Sequence, residues 1–191
     1  MITISTCMIV KNEEALLARC LDCVRSFSDE IIIVDTGSTD RTKEIAARYT
    51  DHIYDFPWIN DFAAARNFSF SKASMDYIYI ADADEIIDSD NIRQIQDLKK
   101  LLLPEIDVVQ MYYTNQLEYG TTYNYDKEYR PKLVRRLRPF LCQYPLHETL
   151  RMEPVIFDSD IAIIHKPHAN HSARDFANLQ KLIRSGQPLS S

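Results

Sequence analysis

Glycine, cysteine, basic charge and long apolar runs are all scarce in this sequence, and each shortage excludes something. With three glycines in 191 residues, no glycine-rich basic loop follows the first strand, as a nucleotidyltransferase would need to cradle phosphates. Four cysteines are present, Cys7, Cys20, Cys23 and Cys142. Cys20-x-x-Cys23 has a suggestive spacing, but no second pair completes a zinc site. Ala15, Leu16, Cys20, Cys23 and Val24 fall on one face of an amphipathic stretch. Buried core thiols in a reduced, cytoplasmic protein are therefore expected. No apolar run approaches transmembrane length. The opening MITISTCMIV reads as a core strand and not as an export signal. A net charge of −6 argues against a nucleic-acid surface or a patch for anionic membranes. An anionic ligand would need a local cluster of Arg or Lys.

What is present is ordinary globular composition, 46% hydrophobic and 26% charged, enough for one domain with a real core. Strand and helix signals alternate through the first half. Strands are expected at Ile2–Val10, Glu30–Val34, His52–Phe56 and Asp76–Ala81, with helices over Asn12–Phe27, Ser38–Tyr49 and Asp61–Ala73. Such alternation implies a mainly parallel α/β sheet of Rossmann-like type flanked by helices. Ligands in these sheets sit at the carboxyl ends of strands, where Asn12, Asp35 and Asp82 fall. The second half differs. A helix over Asp90–Leu103, a strand over Asp107–Tyr113, a last strand over Ile161–His165 and a helix over Ser172–Ile183 flank a stretch, 114–146, rich in Tyr, Arg and Pro. That stretch suits antiparallel strands and substrate-facing loops. Residues 1–105 and 106–191 are expected to form two halves of one domain, whose C-terminus looks truncated.

The run Tyr77-Ile-Tyr-Ile-Ala-Asp-Ala-Asp-Glu85 carries the most information. Two carboxylates two residues apart at a strand end point to the same side. Their repulsion is relieved by a hard divalent cation, and Mg²⁺ in such sites keeps room for water and substrate phosphates. A helix cap or acidic turn is the plainer alternative.

Five blocks stand in one order: Met8-Ile-Val-Lys-Asn-Glu-Glu14, Ile33-Val-Asp-Thr-Gly-Ser-Thr-Asp-Arg41, Trp58-Ile-Asn-Asp-Phe-Ala-Ala-Ala-Arg-Asn67, Ala81-Asp-Ala-Asp-Glu85 and Leu146-His-Glu148. Together they resemble family 2 glycosyltransferases of GT-A fold, in a bacterial branch to which peptide cysteine S-glycosyltransferases are also similar. The resemblance covers roughly residues 1–170. It implies metal-dependent transfer of a sugar, with inversion, from a nucleotide-diphosphate donor, most simply a UDP-sugar, bound by the half 1–105, to an acceptor bound by the half 106–191. Asn12, Glu13 and Asp35 would meet the base and ribose, and Arg66 the diphosphate. Asp84 would bind Mg²⁺ or Mn²⁺, with Asp82 on the ribose or on the metal's waters, and a late His, His165, would complete the metal site. Many relatives carry a second Asp where this chain has Thr36, which puts the uracil contact in doubt.

Glu148 is the expected general base, with His147 orienting it or touching donor phosphate. One of Arg135, Arg136 and Arg138 would meet phosphate. Tyr112, Tyr113, Tyr119, Tyr123, Tyr125 and Tyr129 offer stacking surfaces for sugar rings. His168 and His171 lack the further ligands of a zinc site. The acceptor could be a glycan, a lipid-linked glycan or a peptide, which places the chain in the cytoplasm or at the inner face of a membrane. The competing readings are a nucleotide-sugar-binding module without turnover and, less favoured, a nucleotidyltransferase.

Overall fold

The computed structural model describes residues 1–114, 127–137 and 154–167, the backbone of 142–143 and 149–150, and the isolated positions 180 and 184. In order the elements are β1 (Ile4–Val10), α1 (Leu17–Val24), β2 (Glu30–Asp35), α2 (Thr42–Ala46), β3 (Ile53–Asp55), α3 (Phe62–Lys72) and β4 (Tyr77–Ala81). They continue as β5 (Glu85–Ile86), α4 (Ser89–Leu101), β6 (Val108–Thr114), β7 (Glu128–Arg135), β8 (Cys142–Gln143), β9 (Thr149–Leu150) and β10 (Ile156–His165). Eight strands form one sheet in the order β3-β2-β1-β4-β7-β6-β10-β5, and β8 pairs with β9 apart from it.

The first four strands are mutually parallel. β7 inserts antiparallel between β4 and β6, β10 runs parallel to β6, and β5 closes the edge antiparallel to β10. The antiparallel character expected after residue 114 is carried by β7.

Both faces of the sheet are covered, which explains why β2 reads as an unbroken apolar run. Ile31 and Ile33 pack with Leu17, Leu21, Val24, Ala46 and Ile95. Ile32 and Val34 point the other way, toward Cys7, Ile78, Val134, Phe68 and Phe70. α3 lies on that second face. Its buried positions are Ala63, Ala65, Arg66 and Ser69, and the small ones let the helix approach the sheet closely.

Two helices are shorter than expected. Regular α1 covers only Leu17–Val24, because Asn12 adopts a left-handed backbone with φ of 56° and the Glu13 carbonyl accepts from Leu16 and Leu17 N–H. Ala15 is exposed, so the buried face is Leu16, Leu17, Cys20, Leu21 and Val24. Cys7, Cys20 and Cys23 are free thiols, with Cys23 half-buried. α2 begins at Thr42, since Ser38 accepts a bond from Asn12 N–H instead of capping a helix. α3 and α4 are capped by Asp61, which accepts from Ala64 N–H, and by Asp88, which accepts from Asp90 and Asn91 N–H. Of the helix expected over 172–183 only position 180 is described, and it is helical.

At the strand starts, carboxylates sew neighbouring segments together. Asp76 Oδ2 accepts from Thr3 N–H at 2.9 Å and Thr3 Oγ1–H at 2.8 Å. Asp29 Oδ2 accepts from Ile4 N–H at 2.8 Å and Lys99 Nζ at 2.7 Å. Glu30 accepts from Ser5 Oγ–H at 2.5 Å and from Ser74 N–H and Oγ–H at 2.9 and 3.0 Å.

Candidate active site

Two loops leave the ends of β1 and β2 and are laced together. Asn12 N–H donates to Ser38 Oγ at 2.9 Å, and Asn12 Oδ1 accepts from Thr39 N–H at 2.8 Å. Glu13 N–H donates to Thr42 Oγ1 at 2.7 Å. Glu14 N–H donates to Asp40 Oδ2, and Glu14 Oε2 accepts from Arg41 N–H, both at 3.1 Å. Asn12 and Glu13 thus hold the loop that shapes the rim. Asp35 ends β2 at 2% exposure. Its Oδ2 accepts from Gly37 and Ser38 N–H at 3.0 and 2.9 Å. The turn needs Gly37, whose φ of 102° lies in the region that side chains disfavour. Asp35 Oδ1 is buried and has no hydrogen-bond partner among the described residues. Thr36 is also buried, and its hydroxyl donates to the Val10 carbonyl at 3.1 Å, so it closes the gap between the two strands.

β4 ends at Ala81, and Asp82-Ala83-Asp84 turns into β5, with Glu85 N–H donating to the Asp82 carbonyl at 3.2 Å. Arg66, 5% exposed, reaches from α3 and donates to Asp82 Oδ1 at 3.0 Å. Burial pushes the Asp82 carboxyl up, but Arg66 and then Lys132 pull harder and hold it low, at about 2. Water at the exposed 41% of the side chain damps that depression. From below, Cys20 Sγ–H meets the Asp82 carbonyl at 3.2 Å.

Asp84 is held differently. Its carbonyl accepts from Lys166 N–H at 2.9 Å and lies 3.5 Å from Arg19, which also donates to the Lys166 carbonyl at 2.8 Å. Its Oδ2 lies 3.1 Å from His165 Nε2. Its Oδ1 is buried without a hydrogen-bond partner among the described residues. An unmatched buried carboxylate oxygen beside an imidazole is what a divalent cation would complete, so the residues fit the expected metal. No group of three or more His, Cys, Asp or Glu in metal-holding geometry occurs among the described residues. Water and ligand oxygens would supply the remaining coordination.

Neither Lys132 nor Arg130 stands out in the sequence. Lys132 Nζ donates to Glu85 Oε1 at 2.6 Å, and the two side chains are 4% and 2% exposed. Burial first, then Asp82 and Asp84, push Glu85 up to about 7 against the pull of Lys132. The Lys132 ammonium lies 5.4 Å from the Tyr79 ring and 6.0 Å from the Tyr113 ring. The Tyr113 ring also sits 5.1 Å from that of His165, and the Arg130 guanidinium lies over it at 3.9 Å. The only cue to Lys132 was a lysine beside the apolar Leu133-Val134 in a stretch of little periodicity.

Asp35, Arg66, Asp82, Asp84 and His165 therefore gather along the strand ends. Glu148 and His147 lie outside the described residues, as do Tyr119, Tyr123, Tyr125, Arg138, His168 and His171. Arg135 and Arg136 lie away from the rim. Arg135 bonds the Tyr77 hydroxyl and the Ile106 carbonyl, and Arg136 bonds the Met75 carbonyl, all at the opposite end of the sheet. Antiparallel β7 carries both away from the rim. Tyr112 and Tyr129 stack on each other at 4.3 Å, and Trp58 packs edge-on against Phe62 at 4.7 Å.

Comparison with known proteins agrees with this geometry. A TPR repeat-containing protein of Synechococcus elongatus is 46% identical over 85 residues, 44% of this chain and 21% of its own length. A glycosyltransferase of Rickettsia typhi is 39% identical over 82 residues, 43% of this chain and 28% of its own. The glycosyltransferase SunS of Bacillus subtilis is 34% identical over 108 residues, 52% of this chain and 24% of its own. The matched stretches thus span under a third of each of these relatives. Among solved structures, glucosyl-3-phosphoglycerate synthase from Mycobacterium tuberculosis superposes with a TM-score of 0.63 at 18% identity, over 99% of this chain and 81% of that one. At that identity the likeness speaks for the fold, which is GT-A. The model of glycosyl transferase family 2 matches residues 5–153, and with the rim described above this shows that the chain belongs to glycosyl transferase family 2.

Proposed function

We propose that the chain transfers a sugar from a nucleotide-diphosphate donor, laid across the ends of β2, β1 and β4, to an acceptor held by residues 106–191. One observation carries the reading: two buried carboxylate oxygens on the same rim, Asp35 Oδ1 and Asp84 Oδ1, have no hydrogen-bond partner among the described residues. A buried acceptor left unmet costs about 1–3 kcal/mol, and a bound ligand removes that cost. Asp35 Oδ1 would accept an N–H from the base, with Asn12 and Glu13 holding the loop around it. Arg66 supplies the local cation for the diphosphate, and Asp82, aligned by Arg66, orients the ribose or the metal's water.

Asp84, with His165 beside it, would hold Mg²⁺ or Mn²⁺. When bound, that cation stabilises charge on the departing nucleoside diphosphate. The M. tuberculosis synthase has been solved with UDP and Mg²⁺ and with UDP-glucose and Mn²⁺, which supports a uridine donor here. The acceptor nucleophile attacks the anomeric carbon opposite the leaving group, with inversion, and Glu148 takes its proton. No helix among the described residues is long and apolar enough to cross a membrane. A cytoplasmic site of action, with a glycan, lipid-linked or peptide acceptor, completes the proposal.

The test is thermal stabilisation by UDP, UDP-glucose and GDP, with and without Mn²⁺. A ligand at 100 times its Kd stabilises by about 2.7 kcal/mol. A metal-dependent rise with one nucleotide is expected, absent in Asp84→Ala while the ligand-free midpoint stays near that of the parent. A rise that persists in Asp84→Ala would move the metal elsewhere. No rise with any nucleotide would sink the donor reading.

A further inference from the structure

We infer that the buried Lys132–Glu85 ion pair is the seat of the metal-binding turn, and that both residues are positioning residues for metal and donor. The inference rests on the donor reading above. Glu85 closes the turn on itself. Its N–H donates to the Asp82 carbonyl at 3.2 Å, and its Oε2 accepts from Asp82 N–H at 3.3 Å. Its other oxygen receives Lys132 Nζ at 2.6 Å. Glu85 is also the ladder partner of His165, whose Nε2 faces Asp84 at 3.1 Å. One carboxylate thereby sets the backbone of Asp82 and the strand position of the imidazole beside Asp84.

Lys132 gives that carboxylate a fixed place. It comes from β7, which lies between β4 and β6 in the sheet, and its ammonium sits near Tyr79 of β4 and Tyr113 of β6. At 4% side-chain exposure, and already bonded to Glu85, it acts through Glu85 and not on a phosphate directly. Asp82, Asp84 and Glu85 bring three carboxylates into four residues. A buried cation beneath them relieves their repulsion before any metal arrives, so the turn keeps its shape. A stabilising role alone explains the pair poorly, because replacing such a pair with apolar or neutral groups of similar size is often neutral or favourable. Residues that orient metal ligands from behind typically change metal affinity by about 10- to 100-fold when altered.

The experiment compares the full chain with the double variant Glu85→Gln/Lys132→Met and the single variant Glu85→Gln. Three quantities are read: the melting midpoint without ligand, the affinity for UDP with Mn²⁺, and the affinity for Mn²⁺ alone by electron paramagnetic resonance. The double variant is expected to melt close to the parent and to lose about 10- to 100-fold in Mn²⁺ and UDP·Mn²⁺ affinity. Glu85→Gln, which keeps an acceptor oxygen, is expected to lose less. A double variant with parental melting and parental affinities overturns the inference and leaves a core ion pair. If the double variant does not fold, Glu85→Gln decides, and parental Mn²⁺ affinity there overturns it equally. A parent that binds Mn²⁺ but no nucleotide counts against the donor reading alone, and the Mn²⁺ comparison still decides the seat.

Discussion

At the strand starts, Asp29, Glu30 and Asp76 each accept two or three hydrogen bonds from neighbouring segments. At the strand ends, Asp35 and Asp84 are more deeply buried, yet each keeps one oxygen without a hydrogen-bond partner among the described residues. The same side chain serves opposite purposes at the two ends. Where its acceptor sites are filled by the chain, a carboxylate is a clasp. Where burial and an unfilled oxygen coincide, the fold tolerates a local cost, which under the proposed function a bound ligand would remove.

Substitutions at the two ends should separate these roles. The largest effect is expected at Asp35. A hydrogen bond to a charged group is worth about 1.5–3 kcal/mol, so Asp35→Ala should weaken nucleoside-diphosphate binding at least 10-fold in titration calorimetry. Parental affinity in that variant would place the base elsewhere. Glu30→Ala should do the reverse, lowering stability by about 1–3 kcal/mol in urea with nucleotide affinity unchanged.

The strand-start carboxylates also set a pH dependence. Thr3 bonds hold Asp76 below the usual carboxylate range. At Glu30 burial pushes upward, but bonds from Ser5 and Ser74 more than offset it. Both groups are therefore lower in the folded than in the unfolded chain. Their contribution is full above an unfolded value of about 4 and fades as pH falls through the folded values. Acidification from pH 5 to 3 should lower the melting midpoint less in Glu30→Gln/Asp76→Asn than in the parent. An equal fall in both proteins would assign the acid sensitivity to other groups. The smallest effect is expected at Asp88→Ala, which removes the α4 cap for about 1 kcal/mol and should leave binding untouched. A calorimetric loss of binding there would couple α4 to the site.

The strand-end acids were legible in the sequence because each follows an apolar β-branched or aromatic run, as in EIIIVD and YIYIAD. The parallel half was legible for the same reason. The lacing of residues 12–14 to 38–42 was not, because it joins loops about 26 positions apart through backbone donors that any sequence possesses. Hence the sequence implies helices over Asn12–Phe27 and Ser38–Tyr49, both longer than the α1 and α2 that form. Lys132 was hidden because its meaning depends on β7 running antiparallel beside β4, a register that aperiodic residues around it do not encode. Glu148 and His147 were legible only as a motif, and they lie outside the described residues.

The turn from Ala81 to Glu85 leaves β4, in the middle of the sheet, and joins β5 on the far side of β10. It is a tight turn, closed by Glu85 N–H on the Asp82 carbonyl, and four residue steps cannot span four flat strand spacings of about 4.8 Å, so the sheet curls to bring β4 and β5 together. Asp82 is tied to α3 through Arg66, and Asp84 to the end of β10 through His165 and Lys166. The gap between the two carboxylates therefore registers the separation of α3 from β10. Whatever draws β10 toward or away from α3 changes that gap.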